Sequence, residues 1–204
     1  MTSSLALPKT PFAASCLELI RETENELLVD HSIRSFLFAR ALAEYEGSVH
    51  DADYDEQALF AACILHDLGL GSTATAQARF EVDGADLAAT FLRSQRFSGA
   101  RTDRIWEAIA LHSTIGIADR LGLLTSLVHR GVFTDGGHVS YLPAELAQPV
   151  RDAYPRPSND QSIRDAVIMH ASRSDAAAPR FSMGAEYLRR HRETHPGEVC
   201  SRCS

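Results

Sequence analysis

The chain has 204 residues, 45% hydrophobic residues and a formal net charge of −7, which is ordinary for one globular domain. The negative charge argues against nucleic acid as the main partner, because phosphates repel an acidic surface. No apolar run is long enough to cross a bilayer and the first residues carry no secretion signal, so we expect a cytoplasmic protein with no membrane partner.

Apolar residues recur at spacings of three and four along most of the chain, which predicts an all-α fold. Asp30 is the predicted N-cap of the second helix, which places His31 in its first turn, and Gly47 is its predicted end. Beyond Asp135, glycines and prolines predict two short helices and loops. The other predicted helices cover residues 12–28, 55–68, 83–92, 117–133, 161–172 and 182–192, and one more starts at Thr102 or Ser98 and runs through 104–112.

The pair His66-Asp67 closes the apolar stretch 58–65 and is followed by Leu68-Gly69. An imidazole and a carboxylate on adjacent residues suit Zn²⁺, Fe or Mn²⁺. Such a pair also often ends a helix or forms a local hydrogen bond. Its neighbours in the sequence favour a metal site, because His31, His112 and Asp135 each lie beside an apolar periodic segment.

Other polar residues leave alternatives open. A single histidine on an apolar face is more often a hydrogen-bonded core residue than a ligand. Asp119 is the rival of Asp135, although Asp119 and Arg120 could form a solvated helical pair. His129 and His138 are expected to be surface or gate residues, and His50 and His170 have no local support for chemistry.

The order His, His-Asp, Asp resembles the HD-domain metal-dependent hydrolase superfamily over residues 30–136. Within it, the chain most resembles the cyanamide hydratase-like group. This resemblance implies a compact multi-helix fold with one divalent ion at the centre of its core, Zn²⁺ first and Fe or Mn²⁺ as alternatives, and suggests a homodimer. The implied metal ligands are His31, His66, Asp67 and Asp135. The motifs that carry the resemblance are Asp30-His-Ser-Ile-Arg-Ser, Leu65-His-Asp-Leu-Gly, Phe80-Glu-Val-Asp-Gly-Ala-Asp and Glu107-Ala-Ile-Ala-Leu-His-Ser.

Phe80 marks a departure from the dinuclear members of the superfamily, which usually have a histidine at this position. No histidine occurs between His66 and His112, so we expect a mononuclear centre, with Glu81 as the one local substitute ligand for a second ion. His112 is then free to orient substrate or carry a proton, because an unperturbed pKa of about 6.5 suits that task.

The predicted chemistry is attack by a metal-activated water, since a bound Zn²⁺ lowers the pKa of its water to about 7. The predicted catalytic residues are His112, Asp67 and Arg34. Arg34 shares a helical face with His31 and could bind an anion, pair with Asp30 or be an ordinary surface residue.

Three functions follow from this chemistry. The first is hydration of a small nitrile-like substrate, such as cyanamide to urea. The second is hydrolysis of a nucleotide-type phosphomonoester, which needs several cationic groups. Only Arg34 and Arg79 lie near the motifs, without any lysine, which favours the hydratase. The third is a non-catalytic regulatory module, against which the intact ligand set argues.

We expect one domain over residues 1–204, with the metal-site core at 30–136, C-terminal helices at 143–193 and a loose tail at 194–204. The C-terminus carries His191, His195, Cys200 and Cys203, which are ligand types for structural zinc. The spacing between the histidine pair and the cysteine pair is shorter than in the usual zinc finger, so we expect a frayed tail.

Overall fold

The computed structural model describes residues 5–137, 139–156 and 162–195. Within these ranges the chain forms nine α-helices and three short 3₁₀ helices and no strand, which confirms the predicted all-α fold. The α-helices are α1 (Pro11–Thr23), α2 (Glu26–Glu46), α3 (Glu56–Leu65), α4 (Phe80–Ser94), α5 (Gly99–Leu111), α6 (Leu123–Gly136), α7 (Ala144–Ala153), α8 (Ser162–Ala171) and α9 (Met183–Thr194). The 3₁₀ helices are Ser48–His50, Leu68–Leu70 and Ala118–Arg120.

Helix α2 begins one turn earlier than predicted. The side chain of Asn25 accepts hydrogen bonds from the amides of Leu27 and Leu28 and so caps the helix. Asp30 therefore lies inside α2, and His31 falls in the second turn rather than the first. Gly47 adopts a left-handed φ of 75° after the last turn, as the sequence predicted.

Helix α3 is the central helix of the core. Asp55 caps it by accepting from the amide of Ala58 at 2.9 Å. Every residue from Ala58 to Leu65 is buried, so the helix is apolar on all its faces. It ends at Leu65 with His66 at its C-cap, and the chain turns at once into the 3₁₀ helix Leu68–Leu70. This turn leaves His66 and Asp67 inside the core.

Helices α4 and α6 differ from their predicted bounds. Helix α4 begins at Phe80, because the carboxylate of Asp83 is not its cap and instead accepts from the amide of Ala76 at 2.6 Å. Helix α6 begins at Leu123 and extends to Gly136. Asp135 therefore lies in the last turn of α6 rather than after the helix, which points its side chain back into the core.

Two close backbone approaches fix the elements that carry the site. At Gly131, a Cβ atom would lie 2.5 Å from the carbonyl oxygen of Ser35, so α2 and α6 cross almost in contact. At Gly69, a Cβ atom would lie 1.9 Å from the carbonyl oxygen of Phe80 and 2.8 Å from the amide nitrogen of Gly84. Only glycine allows these contacts.

The C-terminal third adds a smaller layer. Helix α7 is the one helix described where two short ones were expected, and it contains Pro149. Helices α8 and α9 pair with each other through a cluster of Ile168, Ala171 and Leu188. In the tail, the rings of His191 and His195 stack at 4.6 Å, whereas Cys200 and Cys203 lie outside the described residues. Of the helices described, none is long and apolar enough to cross a membrane.

Candidate metal centre and active-site cavity

Three of the predicted ligands converge in the core. The Nε2 atoms of His31 and His66 lie 3.2 Å apart, and Oδ2 of Asp67 lies 3.3 Å from His66 Nε2 and 3.7 Å from His31 Nε2. All three side chains are buried. Together they form a group that could hold a metal ion.

The hydrogen bonds of the two rings show which nitrogen carries the proton. His31 donates from Nδ1 to Asp135 at 2.6 Å, and His66 donates from Nδ1 to the carbonyl oxygen of Cys63 at 2.8 Å. Both Nε2 atoms are therefore left with lone pairs that point at each other. Burial lowers the pKa of His66, so its ring stays neutral.

Asp67 places a third donor atom beside the two imidazole rings. Its Oδ2 atom is buried and has no hydrogen-bond partner, although it lies within 4 Å of both imidazole lone pairs. Three electron-pair donors that face one another repel, and a buried carboxylate oxygen without a partner is costly. A divalent cation between them removes both penalties. The three side chains thus fit the metal that the sequence predicted.

Asp135, the fourth predicted ligand, contacts His31 and Arg34. Its Oδ2 atom accepts from His31 Nδ1, and Arg34 binds both carboxylate oxygens, Nε at 2.6 Å and Nη2 at 3.0 Å. Burial raises the pKa of Asp135, but the hydrogen bonds from His31 and Arg34 outweigh it and lower this pKa to about 2. Asp135 therefore orients His31 in this structure. It is not one of the three residues whose ligand atoms converge, and its role as a fourth metal ligand stays a prediction.

Arg34 is also placed differently. Its guanidinium is 1% exposed, pairs with Asp135 rather than with Asp30, and is absent from the described lining of the cavity. A guanidinium that already forms a bidentate pair with a buried carboxylate is not free to bind an anion. Arg34 therefore holds Asp135 in this structure, and its predicted catalytic role stays a prediction.

His112 lies beside the convergent group, with its ring centroid 4.8 Å from that of His66. It donates from Nδ1 to the carbonyl oxygen of Ile109 at 2.7 Å, which leaves a lone pair on Nε2. Burial, with a contribution from His66, lowers the pKa of His112 from 6.5 to about 3. The prediction relied on an unperturbed pKa, and the structure corrects it: the ring is neutral at pH 7 and can only accept a proton there.

Phe80 and Glu81, the two residues that the sequence analysis related to a second ion, lie close to His112 and Ser113. The Phe80 ring lies 5.6 Å from the His112 ring and lines the cavity. Both carboxylate oxygens of Glu81 are bound by Arg79, at 2.9 and 2.5 Å, and one also accepts from the Ser113 hydroxyl. Glu81 could serve a second ion only if these bonds broke.

A cavity of about 110 Å³ opens beside the convergent group. Its polar lining includes His31, Asp67, His112 and Ser113. The rest of its wall is mainly apolar, contributed by Phe80, Val132, Phe133, Ile163, Val167, Met183 and Tyr187. The site can therefore admit a molecule of a few heavy atoms and shield it from bulk water.

Two arginines at this cavity were missed by the sequence analysis. Arg156 and Arg164 line it and are exposed at its outer side. Arg156 donates to the carbonyl oxygen of Asp135 at 2.8 Å, and Arg164 lies over the Tyr187 ring at 5.5 Å. Neither residue is near a motif in the sequence. Arg164 lies on α8 and Arg156 in the segment after α7, so only the tertiary structure could have revealed them.

The remaining candidates lie apart from the convergent group. Asp119 pairs with Arg120 at 2.8 Å, as the alternative interpretation had it. His129 is 1% exposed and donates from Nδ1 to the carbonyl oxygen of His112, so the expectation of a surface residue is wrong. His50 is exposed, and His138 lies outside the described residues.

The helical fold and its buried His-His-Asp group define a metal-binding helical domain. The family model of the HD domain matches residues 28–177, which is more than half of the chain, so the chain belongs to the HD-domain family. HD domains bind divalent metals, and the family consists mostly of metal-dependent hydrolases. No curated protein matches the chain significantly.

Proposed function

We propose that the protein is a metal-dependent hydratase or hydrolase that adds water to a small, compact substrate, with hydration of a nitrile such as cyanamide to urea as the first candidate. The observation that carries this proposal is the convergence of His31, His66 and Asp67 beside a cavity of about 110 Å³, which His31 and Asp67 line. Cavities for drug-sized ligands are about 300–1,000 Å³, so the size favours a substrate of a few heavy atoms.

His31, His66 and Asp67 would hold the ion. A bound divalent ion supplies Lewis acidity and a water that is reactive at neutral pH. His112 Nε2 has the lone pair needed to accept a proton from the attacking water, and can return it to the nitrile nitrogen as oxygen bonds to carbon. The apolar wall around Phe80 and Phe133 excludes competing water from the site.

A second candidate, hydrolysis of a small phosphomonoester, is favoured by Arg156 and Arg164. The sequence argument against a phosphatase was the shortage of cations near the motifs, and these two side chains weaken that argument. Guanidinium groups at the cavity suit the charge of a phosphate ester. A neutral nitrile has no need of them.

The test is an assay of the metal-loaded protein for urea formed from cyanamide and for phosphate released from small phosphomonoesters. We expect urea formation and its loss in His66→Ala together with the bound metal, while His50→Ala, which changes an exposed histidine, keeps both. Arg164→Gln should leave cyanamide hydration within about twofold, because the substrate is uncharged.

Phosphate release without urea formation, reduced at least tenfold by Arg164→Gln, would instead establish the second candidate. Metal-loaded, folded protein that forms neither product would contradict both candidates. The measured metal content separates that result from a simple loss of the ion.

A further inference from the structure

A groove of about 590 Å³ lies beside the cavity of the metal centre. Four residues line both spaces: Ser113, Phe133, Met183 and Tyr187. The groove is several times larger than the cavity, and its volume falls in the range of about 300–1,000 Å³ that is usual for ligand sites. The proposed function accounts for the cavity and leaves the groove without a role.

Large apolar side chains are exposed to solvent along this groove. Phe181 is 97% exposed, Ile115 is 74% exposed, and Val139 is also exposed. All three line the groove. Single apolar residues are ordinary on a protein surface, whereas several around one depression mark a binding surface. These three residues therefore indicate a ligand that brings apolar surface of its own.

The backbone holds Phe181 in an uncommon conformation. Its φ of 68° lies in the left-handed region, which bulky residues rarely adopt. The next residue, Ser182, caps α9 by accepting from the amide of Ala185 at 3.1 Å. The guanidinium of Arg180 lies 5.5 Å from the ring centre, yet Phe181 stays almost fully exposed. Packing within the chain therefore does not account for a phenylalanine at this position.

The charged side chains of the groove are paired. Arg79 contacts Glu81 at 2.5 Å, and Arg190 contacts Glu186 at 2.7 Å. Arginines that already bind a carboxylate offer a ligand no unbalanced charge. The groove therefore suits an uncharged, apolar group.

We propose that the groove continues the cavity of the metal centre and binds an aromatic or other apolar substituent of the substrate. In this arrangement the reacting group lies in the cavity beside His112, and the substituent contacts Phe181, Ile115 and Tyr141, which line the groove. The inference rests on the proposed function for the reacting group. It extends the substrate class, for either candidate reaction, from the smallest compounds to those that carry an apolar substituent.

The test compares small and substituted compounds on the metal-loaded protein, by calorimetry for binding and by initial rates where product forms. The pairs are N-benzylcyanamide with N-methylcyanamide, and benzyl phosphate with methyl phosphate. The members of each pair have similar intrinsic reactivity, so a difference between them reports the substituent. In one pair we expect the benzyl compound to bind at least tenfold more tightly, or to react with at least tenfold higher kcat/KM, because its ring leaves water.

Two variants in the groove test where the ring binds. Phe181→Ala and Ile115→Ser should each reduce the advantage of the benzyl compound at least threefold. Both residues are exposed, so these changes leave the core intact. The matched controls are Tyr45→Ala and Ile117→Ser, which change an exposed aromatic and an exposed isoleucine that do not line the groove. Both controls should keep the full advantage.

The results separate this inference from the proposed function. A benzyl advantage in binding without any product would uphold the inference and contradict the proposed function. Methyl compounds that react as well as the benzyl compounds would overturn the inference and leave the proposed function standing. The inference is also overturned if neither benzyl compound binds, or if the advantage survives unchanged in both groove variants.

Discussion

At the scale of one residue, Asp135 joins the predicted metal ligand His31 to the buried Arg34. We expect Asp135→Asn to cost about 3–5 kcal/mol of stability, because it leaves the buried Arg34 without its counter-charge. Metal affinity should fall about 10–100-fold, since His31 loses the group that orients it. Chemical denaturation and chelator competition measure the two effects, and the exposed Asp103→Asn should change neither.

The same variant decides between the two roles of Asp135. A supporting residue leaves a weaker site that still fills at high metal concentration. Complete loss of binding at saturating metal would mean that Asp135 is a direct ligand, as the sequence had suggested.

His31, His66 and Asp67 could be predicted from sequence because their order and their place beside apolar helices are local properties. The proton positions could not, since they depend on distant acceptors. His31 is oriented by a residue 104 positions away, and the low pKa of His112 comes from burial and from His66. For the same reason, the sequence did not predict that Arg156 and Arg164 line the cavity or that His129 is buried.

At the scale of the element, the crossing of α2 and α6 controls the site, because these helices carry His31, Arg34 and Asp135. A methyl group at position 131 would meet the carbonyl oxygen of Ser35 at 2.5 Å. We expect Gly131→Ala to destabilise the fold by about 1–3 kcal/mol and to weaken metal binding by separating the two helices.

Gly99→Ala is the control for that experiment, because a Cβ there meets nothing within 4 Å. It lies in the first turn of α5 and should leave stability unchanged or raise it by up to about 1 kcal/mol. Equal effects at the two positions, measured by denaturation, would contradict the role of the close crossing.

The cap of α3 gives a pH-dependent prediction. Burial raises the pKa of Asp55, but hydrogen bonds from Arg101 and from the Ala58 amide outweigh it, so its pKa lies below 3.8. A lowered pKa adds stability that is present above pH 3.8 and is lost as pH falls below it. Asp55→Ala should cost about 1–2 kcal/mol at pH 6.

That cost should shrink as the same denaturation is repeated at successively lower pH below 3.8, because the parent's carboxylate becomes protonated when the pH falls through its lowered pKa. Asp55→Asn keeps a capping oxygen and loses the charge, so it should retain most of the stability at pH 6. A cost for Asp55→Ala that does not change with pH would show that the ionised carboxylate contributes nothing.

The bounds of the elements were less predictable than their existence. Helical periodicity identified all-α structure, but Asn25 and Asp30 are both good caps, and packing selects the first. Asp83 is likewise a residue type that caps helices, but its carboxylate accepts a hydrogen bond from the Ala76 amide instead. These choices depend on tertiary contacts that a single sequence does not display.

At the scale of the whole molecule, metal binding should contribute to stability. Since His31, His66 and Asp67 present three donors that repel one another, a bound metal should stabilise the folded chain. We expect a chelator to lower the Tm of the parent by several degrees and readded Zn²⁺ to restore it. His66→Ala should melt at one temperature with or without Zn²⁺; a metal-dependent Tm in that variant would argue for a different site.

The contact between Gly69 and α4 affects the shape of the cavity as well as the turn after His66-Asp67. Any side chain at position 69 would push on the backbone of Phe80, and Phe80 is part of the cavity wall. The width of the pocket therefore depends on the contact between the main chains of Gly69 and Phe80, as well as on the Phe80 side chain. Over evolution, a descendant of this chain could broaden its substrate range by changing Phe80, but it could not change Gly69 without rebuilding the pocket.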